Sequence, residues 1–375
     1  MSKKPLRAAL LAATALVLVA CQADEFVGDR KHLRPLSYSA QSRLSDLGME
    51  KNAPIMMRIY KQEGELEIWK QARSGSYELF KTYEICRWSG ELGPKFAEGD
   101  RQAPEGFYEV TPAQMNPNSK YYLSFNLGFP NAFDRSHDRT GSHLMVHGAC
   151  SSAGCYAMTD EQMQEIYSMA REAFSGGQKS FQVQAFPFRM TAENFVKHRD
   201  NEHMPFWTML KEGHDHFEAV KQPPRLDVCE RRYVFNGKPD NDRDRFRARE
   251  ECPTYSVPEF VAKDVAERRA AHETEVAALL QKIKDRQERA EKWEERSKKV
   301  ADLLDFSDDD RPDGSVATAA GEATTGTVSE GTPIPVPAPG RTAIADATGS
   351  DSGGVFNRLT RFVPGFGGEQ GSRED

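Results

Sequence analysis

Hydrophobic and polar positions change their period several times along this chain, and each change predicts an element. From Pro54 short β-favouring runs follow one another: Ile55-Met56-Met57-Arg58-Ile59-Tyr60, Leu66-Glu67-Ile68-Trp69, and Tyr77 to Cys86, separated by Gly64 and Ser74-Gly75-Ser76. A Gly- and Pro-rich loop, Ser89-Gly90-Glu91-Leu92-Gly93-Pro94, interrupts the pattern; Phe107 to Val110, Tyr121 to Phe125 and His143 to Val146 resume it. Ahead of the strands, Ser39 to Met49 carries a short helical pattern. A clearer helix starts after Thr159, where Gln162 completes a capping box and Met163, Ile166, Ala170 and Phe174 recur at helical spacing; Gly176-Gly177 closes it. Phe181 to Met190 reads as one more strand, and Thr191 to Val220 as helix with breaks near Pro205 and Gly213. The pattern predicts an α+β, β-rich domain over residues 50–236 with helices added late, long enough for a core of its own.

Beyond it the character changes. After a linker over 237–256, residues 257–305 place Val276, Leu279, Ile283, Ala290, Trp293, Val300 and Leu304 at 3-4 spacing, with Arg286 and Ser297 at two seam positions. That predicts a long amphipathic helix, coiled-coil-like or lying against the domain. Residues 306–375 are rich in Gly, Ser, Thr, Ala, Pro and acidic residues and predict a disordered tail. At the other end, Lys3, Lys4 and Arg7 precede an apolar run from Ala8 to Ala20, the shape of a secretory signal over 1–20 and too short to span a bilayer. Leu18-Val19-Ala20-Cys21 resembles the bacterial lipobox, in which the cysteine is acylated. Gln22, in place of Asp, then implies an outer-membrane lipoprotein facing the periplasm; an ordinary cleaved signal and a soluble periplasmic protein are the alternative. Residues 21–49 form a linker with the short helix.

Charge and cysteine content narrow the chemistry. A formal charge of −7 is interspersed, with no basic stripe, which argues against a nucleic-acid partner. Of six cysteines, Cys86, Cys150, Cys155, Cys229 and Cys252 remain after Cys21. In an oxidising compartment an odd number leaves one thiol over.

The densest chemistry lies in His143-Leu-Met-Val-His147-Gly148-Ala-Cys150-Ser-Ser152-Ala-Gly154-Cys155. In a strand His143, Met145 and His147 share one face, and a small-residue loop then returns the chain to Cys155. Imidazole beside sulfur is what makes a thiolate near neutral pH from a thiol of pKa ~8.5. Gly154 clears space for a substrate carbonyl, and N–H groups about Cys155, with Gly148 and Ser152 supporting the loop, suit an oxyanion. His143 is the rival base. The same residues also fit a metal site or a Cys150–Cys155 disulfide, although the C-x-x-C spacing of many zinc sites is missing. Tyr122, Asn126 and Asn131 suit the wall of a substrate groove, and Arg189 a carboxylate reader; packing, turns or a surface ion pair are their structural alternatives.

The segment from His147 to Met158 resembles the active-site motif of the YkuD-type L,D-transpeptidases, in the YafK-like branch. The likeness extends to Cys86-Arg-Trp-Ser-Gly-Glu-Leu-Gly-Pro-Lys95, Glu98 to Tyr108, Phe186-Pro-Phe-Arg-Met-Thr191 and Arg232-Tyr-Val-Phe235. Ala153 and Ala157 stand where the wider family carries His and Arg. The resemblance implies a β-rich YkuD-like catalytic domain with Cys155 as nucleophile and His147 as base, oriented by the Gly148 carbonyl. It implies no cofactor or metal, and peptidoglycan stem peptides as partners. Acyl transfer from diaminopimelate is the expected reaction. Hydrolysis of cross-links, or release of an envelope protein linked to diaminopimelate, is the alternative, and a non-catalytic wall-binding lipoprotein a third. With Cys155 free, Cys86 with Cys150 and Cys229 with Cys252 become the plausible pairs.

Overall fold

In the computed structural model the described residues are 30–305; the signal segment with Cys21 and the tail lie outside them. The first β-runs form β1 (Ile55–Tyr60), β2 (Glu65–Gln71) and β3 (Tyr77–Glu84), followed by β4 (Arg87–Trp88), β5 (Gly106–Val110), β6 (Met115–Asn116), β7 (Ser124–Asn126), β8 (Met145–His147), β9 (Tyr156–Ala157) and β10 (Phe181–Phe186). They build two five-stranded sheets, in the orders β3-β2-β1-β10-β5 and β4-β9-β8-β7-β6. Most neighbours are antiparallel, but β1 runs parallel to β10 and β8 parallel to β9. β1 is buried along its whole length, which explains why apolar residues, interrupted only by Arg58, replace alternation. Ile55, Met57 and Ile59 join the main core with Leu66, Ile68, Val183 and Ala185. Met56, Arg58 and Tyr60 point to the other face of the sheet.

Six helices accompany the sheets among the described residues: α1 (Tyr38–Asp46), α2 (Ala132–Ser136), α3 (Asp160–Ser175), α4 (Ala192–Lys197), α5 (Met204–Val220) and α6 (Glu259–Asp305). α1 braces the domain: Ser37 caps it, and Leu36, Ala40 and Leu44 enter the main core. α3 has the expected box, with Thr159 accepting from the Gln162 N–H, and ends at Gly176. Two expectations need correction, and the break expected near Pro205 is present. The last strand of the first sheet stops at Phe186, four residues short of Met190. The helical stretch after Thr191 is two helices, interrupted over 198–203, and Pro205 sits in the first turn of α5, where its missing N–H is harmless. Gly213 does not break α5: a Cβ there would stand 2.3 Å from Phe107 and 2.4 Å from Phe235, so glycine lets the rings close in.

After α5, β11 (Leu226–Cys229) pairs with β12 (Arg232–Phe235), and β13 (Lys238–Pro239) with β14 (Tyr255–Ser256). The stretch read as a linker is thereby tied down, and a Cys229–Cys252 disulfide spans it. A second disulfide joins Cys86 to Cys150, leaving Cys155 as the free thiol among the described residues. α6 begins against α4 and α5, with Val261 buried, His272 edge-on to the Phe195 ring at 4.7 Å, and Val276 against the second core cluster. Its later turns stand clear, with Trp293 and Leu303 each 74% exposed.

Candidate active site

The segment with the densest chemistry forms the centre of the second sheet. β8 and β9 are parallel with Val146 opposite Tyr156 and His147 opposite Ala157. Continuing that register places Cys155 beside Met145, whose N–H donates to Sγ at 3.4 Å. Side chains two residues apart on a strand share a face, so His147 and Cys155 occupy diagonal positions on one face of the sheet. The diagonal spacing is within reach of an imidazole.

The crossover between these strands is only residues 148–155, shorter than the dozen or more a parallel connection usually takes. Its tightness shows in the backbone. Ala149, Cys150 and Gly154 have φ of +64°, +47° and +124°, and left-handed non-glycine residues cost energy that the surroundings must hold. The surroundings are visible. Cys150 is pinned by Cys86, the Ala149 N–H donates to Asp160 Oδ1 at 2.7 Å, and Met158 N–H donates to the His147 carbonyl at 2.8 Å. Gly148 is required by close approach: a Cβ would meet Asp160 Oδ1 at 2.6 Å and the Tyr122 Cβ at 2.9 Å.

His147 is 3% exposed, and its Nδ1 lies 2.6 Å from the Gly148 carbonyl. A carbonyl only accepts, so Nδ1 carries the proton and Nε2 keeps its lone pair. Burial lowers the pKa of this imidazole below the usual value, against the opposing Gly148 bond, and keeps it neutral. The Tyr121 ring covers it at 4.8 Å between centroids. At Cys155, burial raises the thiol pKa, outweighing the Met145 N–H and the charge of Lys95. The Sγ–H donates to the His143 carbonyl at 3.6 Å. Both shifts oppose the thiolate–imidazolium pair that the spacing suggests.

The remaining predicted residues divide. Ser152 holds the loop: its hydroxyl donates to the Cys155 carbonyl at 2.6 Å and accepts from the Cys155 N–H at 3.0 Å and the Gly154 N–H at 3.3 Å. Those N–H groups are committed to Ser152 in this arrangement, which corrects their reading as free oxyanion donors. His143 has φ +56° and precedes β8, so the expected strand starts two residues late and its side chain is exposed. Tyr122 donates to Gln164 Oε1 at 2.7 Å. Asn126 turns the chain by accepting from the Gly128 N–H at 2.8 Å, and Asn131 caps α2 and donates to Tyr233 Oη at 2.8 Å. Arg189 is paired with Glu65 and Glu67 and lies over the Tyr60 ring at 4.5 Å. The disulfide at Cys150 removes both a Cys150–Cys155 bond and Cys150 as a metal ligand; among the described residues no three His, Cys, Asp or Glu gather as a metal site.

Sequence reasoning missed Tyr121, Asp160 and Ser89, whose hydroxyl donates to Ser152 Oγ at 3.1 Å. Tyr121 was read into a strand that starts only at Ser124; the left-handed Tyr122, φ +67°, comes between.

Comparison with known proteins agrees with this geometry. The model of the YkuD family, the L,D-transpeptidase catalytic domain, matches residues 56–184, which include His147 and Cys155. YafK of Escherichia coli, which carries the L,D-transpeptidase name provisionally, is 39% identical over 223 residues, 59% of this chain and 88% of YafK. The chain belongs to the YkuD family of L,D-transpeptidases. Two structures of the helical cell shape determining protein Pgp2 from Campylobacter jejuni, one a point mutant, align at TM-scores of 0.30 and 0.29 with 20% and 17% identity. They cover 50% of this chain, and 66% and 79% of theirs; scores this low add nothing further. Membership in this family brings an enzyme fold and a link to peptidoglycan chemistry, with β8, β9 and their crossover inside the matched residues.

Proposed function

We propose that this protein carries out peptidyl transfer on peptidoglycan stem peptides through a thioester at Cys155. The observation that carries the reading is the diagonal placement of Cys155 and His147 on adjacent parallel strands, with His147 Nδ1 committed to Gly148. Rotation of Cys155 about χ1 brings Sγ from the His143 carbonyl towards Nε2. As Sγ attacks the diaminopimelate carbonyl carbon, its proton passes to Nε2; the C–N bond to D-alanine then breaks, and the imidazolium returns the proton to the leaving amine. An acceptor amine, from a second stem or an envelope protein, attacks the thioester, gives its proton to His147, and leaves Cys155 as the thiol. The lowered pKa of His147 supports its part, because a base must be unprotonated when the thiol arrives. The exported, outer-membrane lipoprotein reading of Cys21 places the enzyme where such substrates are.

Incubation with defined muropeptides, followed by mass spectrometry, tests the reaction. The expected result is an acyl adduct on Cys155 and a product carrying the acceptor's mass, both lost in Cys155→Ser. A product that has gained only water reassigns the enzyme as an L,D-specific hydrolase, and full activity in Cys155→Ser overturns the site. For the anchor, Cys21→Ser should turn a detergent-extracted protein into a soluble or uncleaved one; wild-type protein found soluble, without acylation at Cys21, overturns that part.

A further inference from the structure

A cavity of about 580 Å³ lies between the outer face of the first sheet and helices α5 and α6. Its walls contain none of the residues from 143 to 158. Cationic and carboxylate side chains balance around it, four of each, with Tyr60 and Trp69 as an aromatic floor. A net anion or a net cation gains little from such a lining, whereas a molecule bearing both charges finds a partner for each.

Two polar atoms of this lining make no hydrogen bond among the described residues, although the Arg58 guanidinium also lies over the Phe217 ring at 4.2 Å. Arg58 is 1% exposed; its Nε donates to Gln184 Oε1 at 3.0 Å and its Nη1 to Glu218 Oε1 at 2.6 Å, but Nη2 has no partner among the described residues. Across the cavity the buried Nε2 of His272 is also without a hydrogen-bond partner among the described residues. An unbonded buried polar atom costs about 1–3 kcal/mol, so a polar ligand that reached Arg58 Nη2 or His272 Nε2 would recover part of that cost. A guanidinium edge matches carboxylate oxygens. On the α6 side, Glu275 lies three residues from His272 and shares its helix face, adding a carboxylate beside the acceptor.

We propose that this cavity is a second binding site, taking a small zwitterion with an α-carboxylate on Arg58 and an α-ammonium between His272 and Glu275. A free amino acid and a short peptide carry the same chemistry. The inference does not depend on the role given to Cys155.

Calorimetric titration of the full chain with alanine, dialanine and trialanine in both hands, and with their N-acetyl and C-amide forms, tests it. The expected result is saturable binding of an unblocked compound, weakened at least tenfold by blocking either end. Tighter binding of alanine marks the ligand as an amino acid; tighter binding of the longer compounds marks it as a peptide. Arg58→Lys should abolish binding. Glu275→Gln, on an exposed helix surface where folding is not at risk, should weaken it at least threefold, and Cys155→Ala should leave it unchanged. No saturable binding by any of these compounds, equal binding of blocked forms, or binding lost in Cys155→Ala and kept in Glu275→Gln would overturn the proposal and leave the cavity to water.

Discussion

Burial biases Cys155 towards its protonated thiol, and its reactivity should show it. A thiolate–imidazolium pair alkylates at a rate that levels off in mild acid. Here burial raises the thiol pKa and lowers that of His147, so neither partner favours the ion pair. The iodoacetamide rate at Cys155 should therefore keep rising with pH past ~8.5, the value of a free thiol. A plateau below neutrality would show that the ion pair forms after all. The same shifts set the acid limb of turnover: His147 must be neutral to act, its pKa is depressed, and activity should fall only below the ordinary histidine range. Removing the base tests its share directly. His147→Ala should cut acylation by about 10²–10⁴. His143→Ala should do far less, because only its backbone carbonyl touches the sulfur; equal losses would make His143 the base.

Between elements, the short crossover from β8 to β9 is held from outside by the Cys86–Cys150 disulfide, which closes a separation of 64 residues. Chain entropy assigns such a link about 4 kcal/mol. The double variant Cys86→Ser with Cys150→Ser should lose stability on that scale and also lose acylation rate at temperatures where it remains folded, since left-handed Ala149 and Cys150 would relax. Loss of Cys229–Cys252 should cost stability alone; similar activity losses in the two variants would deny the first link its special place. Gly213 provides a second case where magnitudes decide. Alanine gains about 1 kcal/mol in helix propensity, but a Cβ 2.3 Å from Phe107 brings overpacking of about 1–3 kcal/mol. Gly213→Ala should lower Tm, and a rise would mean the rings yield freely. These elements also explain what could be read in advance. The buried run of β1, the Thr159 box and the His147–Cys155 interval are local, and residue type declares them. The late starts of β7 and β8 come from left-handed Tyr122 and His143, which no side chain announces. The duties of Asn131, Ser152 and Arg189 depend on partners such as Tyr233, Ser89 and Glu67, tens of residues away.

Over the described molecule, α6 raises the question of which of its turns the fold needs. Its first turns bury Val261, bring His272 against Phe195 and seat Val276 in the cluster that holds Phe186 and Trp207. Burying one such side chain contributes about 1.5–3 kcal/mol, a large share of the 5–15 kcal/mol that keeps a domain folded. From Arg286 to Leu303 every residue is exposed, and the pairs that remain, such as Glu295 with Lys299, are surface i,i+4 contacts of about 0.3–0.5 kcal/mol each. The heptad positions Trp293 and Val300 meet no partner within the described residues. A chain ending at Gln287 should therefore melt with the full-length protein and acylate Cys155 at the same rate. A chain ending at Val257 should melt several degrees lower, because it uncovers Phe195 and opens the wall formed by His272 and Glu275. If the chain ending at Gln287 lost as much as the shorter one, the exposed turns would be packing on something, with Trp293 the first residue to substitute in finding it.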